Sequence, residues 1–229
     1  MEKRLIEAEK FVFKGKDFSA ETVTKKMETY LTESRKAKIE KVLNGRTCNV
    51  SVLVERIHDT GNIAAVMRSM ENLGFQKIDI IESEKTKTSS RITIGADKWL
   101  SIRKWQETTP CVEQLKAEGY QIVCTALEAD SVPMTEIDFT KPTVICLGNE
   151  KMGVSPELLK HADKNCIIPT VGFSQSFNIS VAAAILLSYI HQQRAERMGQ
   201  HGDLTTEEKE ILRAHYYLKS SKNASRYFI

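Results

Sequence analysis

Apolar, β-branched runs alternate with helical patterns through the middle of this chain, and this alternation restricts the fold more than any other feature. The runs occupy residues 50–57, 78–81, 122–127, 144–147 and 166–168. Helical patterns lie between them at residues 63–73, 112–117 and 156–161. Strands that are almost continuously apolar and alternate with helices are typical of a parallel sheet covered on both faces. We therefore predict an α/β domain with an open parallel sheet flanked by helices.

The two ends of the 229-residue chain have a different character. Residues 21–43 are rich in Lys, Glu and Arg with apolar residues at helical spacing, which predicts one or two surface helices. Residues 204–218 predict a further helix. We therefore predict an N-terminal helical extension (1–47), a core domain (48–198) and a C-terminal helical extension (199–229). The polar segment 83–94 interrupts the alternation and is predicted to be a functional loop.

The formal net charge of +3 is distributed unevenly. Residues 1–50 carry +4, residues 51–188 carry −3 and residues 189–229 carry +2. Because neutralisation of phosphates provides much of the affinity for nucleic acids, the basic ends are the expected RNA contacts, with ordinary solvated helices as the alternative. The final residues interleave basic and aromatic side chains. They suit either base stacking or docking of a helix by its aromatic rings.

Several classes of protein are not expected. No apolar run reaches the roughly 18 residues that a membrane span needs, and the N-terminus has no apolar segment like that of a signal peptide. The cysteines are scattered without a C-x-x-C pair, which indicates buried free thiols in a reducing compartment and hence a cytoplasmic protein. The histidines have no spacing typical of metal ligands, so no structural metal is predicted.

Residues 168–187 run from a strand end through a polar hinge into a helix with almost no charge. The hinge and first turn contain Ser174, Gln175, Ser176, Asn178 and Ser180. Free backbone N–H groups at a helix start readily receive a polar ligand. We expect this polar cluster to be buried together with the helix that it begins. A helix that is merely capped by Ser or Asn explains the same residues, and both interpretations stay open at this point.

Three short motifs follow one another along the core. The pattern N-(x)5-R is met by Asn62 and Arg68. The pattern L-G-x-E-x-x-G is met by Leu147, Gly148, Glu150 and Gly153. The pattern I-P followed by S-x-N-x-S-x-A is met by Ile168, Pro169, Ser176, Asn178, Ser180 and Ala182. In this order they resemble the signature of the SpoU/TrmH family of RNA ribose 2′-O-methyltransferases, and the resemblance covers about residues 31–197.

The resemblance implies a fold, a cofactor and an assembly. It implies that the C-terminal third is threaded into a deep trefoil knot and that the protein is a homodimer, with an interface expected on the apolar helix of residues 179–190. It also implies that S-adenosyl-L-methionine binds in the knot, cradled by residues 125–127, 147–153 and 168–177. The implied cofactor-binding residues are Thr125, Leu127, Leu147, Gly148, Gly153, Ile168 and Phe177.

The resemblance also implies catalytic residues, namely Arg68, Asn62, Glu150, Ser176 and Asn178. A guanidinium stays protonated in proteins, so Arg68 is easier to explain as a clamp on an RNA phosphate than as a base. Asn62 is expected to fix loop geometry, with Glu150 as a partner for it or for Arg68. Ser176 and Asn178 are expected beside the cofactor and the target ribose, whose 2′-hydroxyl they can hydrogen-bond.

The sequence departs from the family pattern at two places. Thr60-Gly61 stands where relatives often have a Pro before the motif Asn, and Phe177 stands where they mostly have Leu. The E-K-x-G of the second motif favours the subgroup that methylates guanosine-18 in the D-loop of tRNA. Another RNA target, ribosomal RNA or the tRNA wobble position, is the alternative within the class.

Two other classes of protein remain as alternatives. A non-catalytic RNA-binding module would need no cofactor. A hydrolase is suggested by G-F-S-Q-S at residues 172–176, but its fifth residue is Ser rather than Gly. We expect tRNA as the partner, and neither DNA nor a membrane.

Overall fold

A computed structural model describes the protein over residues 4–7, 9–82, 95–221 and 223–228. The predicted polar loop of residues 83–94 lies outside the described residues. Before the sheet, the chain forms a hairpin of β1 (Lys10–Phe13) and β2 (Lys16–Ser19), followed by helices α1 (Ala20–Glu28) and α2 (Glu33–Asn44). The hairpin corrects the expectation that the N-terminal extension is helical throughout.

The central sheet has seven strands. They are β3 (Val50–Glu55), β4 (Lys77–Ile81), β5 (Ser101–Trp105), β6 (Gln121–Thr125), β7 (Val132–Pro133), β8 (Thr143–Leu147) and β9 (Lys164–Ile167). Their order is β5-β4-β3-β8-β6-β9-β7, and all neighbouring pairs are parallel. The predicted open parallel sheet is confirmed.

Helices cover both faces of the sheet. They are α3 (Thr60–Leu73), α4 (Thr108–Ala117), α5 (Pro156–Leu159) and α6 (Ile179–Met198), and helix α7 (Thr206–Ser220) follows the sheet in the chain. Short 3-10 turns occur at Asp97–Trp99, Met134–Glu136 and Ala224–Tyr227. Helices α3 and α6 share one hydrophobic core with the sheet, and α4 and α5 share another on the opposite face. The five cysteines are buried and free, as predicted.

Local sequence explains where the helix that carries the first motif begins and ends. The side chain of Asp59 accepts a hydrogen bond from the backbone N–H of Gly61 at 2.8 Å, which caps the start of α3. Gly74 ends the helix in the left-handed conformation at φ 84°. Adding a Cβ to Gly74 would place it 2.2 Å from the carbonyl oxygen of Gly45, so only glycine fits.

Sequence analysis did not predict strands β5 and β7. β5 is an edge strand whose Arg103 and Lys104 pair with Asp79 and Glu82, both at 2.6 Å, so it lacks the apolar signature of the buried strands. β7 has only two residues. Both strands lie at the margins of the sheet, where one flank has no partner strand and the apolar pattern is weakest.

The two ends of the chain pack on each other. The terminal module, as we name the described residues of 4–45 and 204–228, contains the hairpin, α1, α2 and α7 around its own hydrophobic core. Phe228 stacks on Phe13 at a centroid distance of 4.1 Å, and Tyr227 stacks on Tyr30 at 3.9 Å. Tyr216 and Tyr217 are buried. Docking of the C-terminal aromatic residues, rather than free rings for base stacking, is therefore the correct alternative.

The terminal module lies along the amino edge of the sheet, where the strands begin. Arg46, directly after the module, donates to the carbonyl oxygen of Phe75 at 3.1 Å, just before β4. The hydroxyl of Tyr216 contacts the side chain of Gln76 at 2.7 Å. A Cβ on Gly202 would lie 2.1 Å from the carbonyl oxygen of Asn44, so the linker into α7 passes tightly against the end of α2. The carboxyl edge is thereby left clear of the module.

Candidate active site

A cleft of about 650 Å³ opens at the carboxyl edge of the sheet. The connections that follow β6, β8 and β9 line it, together with the first turn of α6. Open parallel sheets bind ligands outside the carboxyl ends of their strands, where the strand order reverses. Here β8 lies between β3 and β6, so the reversal falls beside the cleft. The position and the volume suit a small-molecule site.

The connection after β8 folds back on itself into a tight loop. Asn149 and Gly153 exchange two backbone hydrogen bonds of 2.8 Å each, and the side chain of Asn149 accepts from the N–H groups of Lys151 and Met152. A Cβ on Gly148 would lie 2.1 Å from backbone atoms of Gly153 and Val154. Gly148 is thus required by the loop's own packing.

Three polar side chains from separate motifs join in one chain of hydrogen bonds beside the cleft. The amide of Asn62 donates to a carboxylate oxygen of Glu150 at 3.0 Å, and the amide of Asn178 donates to the side-chain oxygen of Asn62 at 3.3 Å. Burial raises the pKa of Glu150, but hydrogen bonds from Asn62 and from the N–H groups of residues 58 and 59 outweigh it and leave the pKa lowered. Glu150 therefore serves as an ionised acceptor.

A buried carboxylate also stabilises the loop after β8. Glu55, at the end of β3, is only 2% exposed. It accepts hydrogen bonds from the hydroxyls of Thr108 and Ser155 at 2.8 and 2.7 Å and from the N–H of Ser155 at 2.9 Å. Glu55 belongs to none of the three motifs, although a charged side chain at the end of an apolar strand run was an available signal in the sequence. Glu55 ties the end of the β8 loop to the start of α4.

Most of the residues implied by the family resemblance come together in this cleft. Its lining includes Thr125, Leu127, Leu147, Gly148, Gly153, Ile168 and Phe177, together with Glu150, Ser176 and Asn178. Asn62 is absent from the lining but is joined to it through Glu150 and Asn178. The three motifs, separated by up to about a hundred residues in the sequence, therefore converge on one site.

Arg68 stands apart from this group. It follows Asn62 by six residues, which on an α-helix corresponds to about 9 Å along the axis and about 240° around it. Arg68 is exposed, does not line the cleft and forms no hydrogen bond or ion pair with the described residues. Its guanidinium is therefore free to contact something outside this chain.

The segment before α6 corrects an expectation about burial. Helix α6 begins at Ile179, and Asn178 is its cap, accepting from the N–H of Ser180 at 2.9 Å. The polar cluster was expected to be buried, but Ser176 and Asn178 are exposed in the single chain. Capping is therefore part of the role of Asn178. Val171 and Phe173 are also fully exposed, at 107% and 109% of their reference areas.

Within the described residues, no group of three His, Cys, Asp or Glu side chains is arranged to hold a metal ion. The helices in the same part of the chain are all too short or too polar to cross a membrane.

The parallel sheet and its three-loop cleft define a class, an α/β protein with a small-molecule site at the carboxyl edge of the sheet. Comparison with known families narrows the class. The sequence profile of the SpoU rRNA Methylase family matches residues 49–188, which include all three motifs. The chain belongs to this family.

Similar proteins agree with this assignment. The tRNA (guanosine(18)-2′-O)-methyltransferase of Aquifex aeolicus is 36% identical over 187 residues, which cover 81% of this chain and 88% of the relative. The enzyme of the same name from Thermus thermophilus is 35% identical and is matched over 71% of this chain and 84% of its own length. The similarity therefore extends well beyond the motifs.

Two solved structures resemble the fold. The A. aeolicus TrmH/SpoU tRNA modifying enzyme superposes with a TM-score of 0.74 at 35% identity and covers 83% of this chain and 98% of that one. An AdoMet-bound rRNA methyltransferase from Sinorhizobium meliloti gives a TM-score of 0.57 at 29% identity, over 65% of this chain and 56% of that one.

Proposed function

We propose that this protein transfers a methyl group from S-adenosyl-L-methionine to a ribose 2′-hydroxyl of tRNA, at guanosine-18 of the D-loop. The observation that carries the proposal is the meeting of Asn62, Glu150 and Asn178, one from each family motif, in one hydrogen-bonded chain at the cleft. Guanosine-18 is proposed as the target because relatives at 32–36% identity are named tRNA (guanosine(18)-2′-O)-methyltransferases.

The cleft has suitable chemistry for the cofactor. Apolar side chains of Leu127, Ile168 and Phe177 line it beside backbone of the β6 and β8 loops, which suits a ligand with an aromatic base and several polar groups. S-adenosyl-L-methionine would supply a methyl group already activated on a sulfonium. The chain therefore has to position the ribose and assist removal of its proton.

The hydrogen bonds suggest how the ribose is positioned. Glu150 accepts from Asn62, and this fixes the amide of Asn62 so that its oxygen faces Asn178. Asn178 uses one amide hydrogen on Asn62, and its second amide hydrogen can be donated to a ribose oxygen. The exposed hydroxyl of Ser176 can pair with the 2′-hydroxyl. The proton can leave through water or through the adjacent phosphate.

We propose that Arg68 holds that phosphate and that it does so within a homodimer. A guanidinium fork binds phosphate bidentately, and Arg68 is exposed and has no ion-pair or hydrogen-bond partner among the described residues. Four of the apolar residues of α6 are buried in the chain's own core, namely Ala183, Leu186, Leu187 and Ile190. The exposed Val171, Phe173 and Val181 leave apolar surface beside the cleft, which a second copy would cover.

We further propose the finer architecture that the family resemblance implies. The C-terminal third, including the segment 168–178, is threaded as a deep trefoil knot. The core domain of residues 48–198 carries the chemistry, while the ends, 1–47 and 199–229, contact RNA, and the protein acts in the cytoplasm. Convergence of the three strand-end loops around one cleft supports the knot, and the basic charge of the ends supports their contact with RNA. A crystal structure traced through residues 147–178 would test the knot.

The function is tested by mass spectrometry of tRNA from cells that lack the protein. We expect one 2′-O-methyl mark, at guanosine-18, to disappear and to return with the wild-type gene but not with Asn178→Ala. An unchanged set of 2′-O-methyl marks would contradict the proposal. Loss of a mark from ribosomal RNA or from the wobble position would retain the reaction but change the substrate.

A further inference from the structure

Arg56 has a backbone conformation that residues with a side chain rarely adopt. It follows the last residue of β3 with φ at 50°, in the left-handed region. Among the described residues, the one other non-glycine residue with positive φ is Lys14, at 49°. Lys14 and Gly15 form the two-residue turn between β1 and β2, and the commonest turn of this length has positive φ at both residues. Arg56 lies in no hairpin, so its conformation needs another explanation.

Two hydrogen bonds hold the peptide groups on either side of Arg56. Its backbone N–H donates to the carbonyl oxygen of Ile81, the last residue of β4, at 2.9 Å. Its carbonyl oxygen accepts from the side-chain amide of Asn149 at 2.8 Å. Left-handed backbone is disfavoured for a residue with a Cβ and persists only where the surrounding structure imposes it. The bond from Asn149 is therefore part of what holds Arg56 in this conformation.

The side chain of Asn149 uses both ends of its amide. Its oxygen accepts from the N–H groups of Lys151 at 3.0 Å and Met152 at 3.3 Å, inside the loop after β8. Its nitrogen donates to Arg56, in the connection from β3 to α3. Because an N–H group only donates and a carbonyl oxygen only accepts, these partners fix the orientation of the amide. Asn149 thus joins a wall of the cleft to the connection that leads to Asn62.

The direction in which the chain leaves β3 decides where the first motif lies. Directly after Arg56, the side chain of Ile57 is buried in the core between α3 and the sheet. The N–H groups of residues 58 and 59 then both donate to the carboxylate of Glu150 at 3.3 Å. With an ordinary negative φ at Arg56, this short connection would take another path and these contacts would not all form. They join residues of one chain, so they do not depend on a second copy.

We propose that Asn149 is a positioning residue for methyl transfer, because it holds Arg56 in the left-handed conformation and thereby sets the position of Asn62 beside the cofactor cleft. This inference rests on the proposed function. Asn149 stands between Gly148 and Glu150, at a position that the second motif leaves open. Loss of its hydrogen bond to Arg56 should displace the first motif and leave the loop after β8 folded. Methyl transfer should therefore slow more than cofactor binding weakens.

The first test separates the two ends of the amide with Asn149→Asp. A carboxylate still accepts from the N–H groups inside the loop but has no hydrogen to donate to the carbonyl oxygen of Arg56. The Kd for S-adenosyl-L-methionine should stay close to that of the wild type. kcat should fall about 5- to 30-fold, the factor by which a Cβ disfavours left-handed backbone. A Kd that rises as much as kcat falls would overturn the inference, because Asn149 would then act within the cofactor loop alone.

The matched control uses the two left-handed residues. Glycine adopts positive φ readily, so Asn149→Asp should cost less kcat in an Arg56→Gly background than in the wild type. Lys14→Gly removes the same penalty in the terminal module, at the other edge of the sheet. In that background, the cost of Asn149→Asp should equal its cost in the wild type. An equal cost in all three backgrounds would overturn the inference.

A second pair of variants leaves Asn149 intact. Arg56→Asn and Arg56→Val both remove the guanidinium, but Asn tolerates left-handed backbone and a β-branched residue does not. Hydrogen exchange at the backbone amides of residues 58 and 59 should be faster in Arg56→Val, and its kcat should be about fivefold or more below that of Arg56→Asn. Equal exchange rates and equal kcat in the two variants would overturn the inference. Exchange needs no methyl transfer, so it tests the role of Arg56 even if the wild type methylated no RNA, a result that would contradict the proposed function instead.

Discussion

Replacement of Gly148 by Ala should open the β8 loop and weaken cofactor binding. The added methyl group would lie 2.1 Å from backbone atoms of Gly153 and Val154, far inside ordinary contact distance. Relief requires separation of the two strands of the loop, which breaks the two 2.8 Å hydrogen bonds between Asn149 and Gly153. Each such bond contributes about 0.5–1.5 kcal/mol, so the loss is about 1–3 kcal/mol, or about 5- to 150-fold in Kd.

Isothermal titration with S-adenosyl-L-methionine measures this effect. Gly172→Ala, in the neighbouring cleft loop, is the matched control, because its added Cβ would meet nothing closer than the backbone nitrogen of Ser174 at 4.0 Å. The control should bind the cofactor like the wild type. A Kd for Gly148→Ala within about twofold of the control would refute the idea that the folded loop forms a wall of the cofactor site.

Three further predictions concern single residues. Arg68→Ala should abolish methyl transfer and leave cofactor affinity unchanged. Arg68→Lys should restore little activity, because an ammonium group lacks the guanidinium fork. Near-normal turnover in either variant would be inconsistent with the phosphate clamp. Glu55→Ala should lower the free energy of unfolding by about 1–3 kcal/mol in urea titrations, since the buried donors of Ser155 and Thr108 would lose their acceptor, and a change below about 0.5 kcal/mol would argue against the anchor. Burial, with a smaller contribution from the charges of His191 and Arg194, lowers the pKa of His201 to about 3. Between pH 6.5 and 3, His201 therefore takes up a proton in the unfolded chain but not in the folded one. The free energy of unfolding falls as the pH falls through this window. The loss at pH 5 is about 2 kcal/mol and should be missing in His201→Phe, and an equal loss in both proteins would exclude His201 as its source.

Five of the seven strands were predicted from the sequence. β3, β4, β6 and β8 were predicted because burial on both faces leaves an almost continuous apolar run, whereas β9 was predicted from its last two residues, Cys166 and Ile167, alone. β5 was missed because Arg103 and Lys104 are held in ion pairs at the sheet edge. The N-terminal hairpin was missed because its aromatic residues pack on Phe228, more than two hundred residues away, a contact that no local pattern encodes.

The site was predictable in its members but not in its geometry. Three motifs selected the lining of the cleft, and Glu150 was considered as a partner for either Asn62 or Arg68. The structure decides for Asn62 because that residue lies in the first turn of α3, at the carboxyl edge, whereas Arg68 lies farther along the helix on another face. Sequence patterns also do not report the exposure of individual side chains, so Ser176 and Asn178 were expected to be buried and are exposed.

Joining of the two ends has a practical consequence for experiments. Deletion of residues 1–45, or of the chain after Asp203, would expose half of the terminal module's core, since α1 and α2 both pack on α7. A truncation would therefore confuse loss of RNA contact with loss of folding. Surface substitutions on α2 avoid this difficulty, because Arg35, Lys38 and Lys41 are exposed.

The central claim is that the cleft transfers a methyl group to a tRNA ribose. The most direct measurement incubates the purified protein with unmodified tRNA transcript and S-adenosyl-L-methionine labelled in its methyl group, and then locates the label by nuclease digestion and mass spectrometry. We predict one labelled 2′-O-methylguanosine, at position 18, with the wild type and none with Asn178→Ala. Absence of incorporation into any tRNA by a folded, cofactor-binding protein, or a label on a base rather than a ribose, would contradict the account.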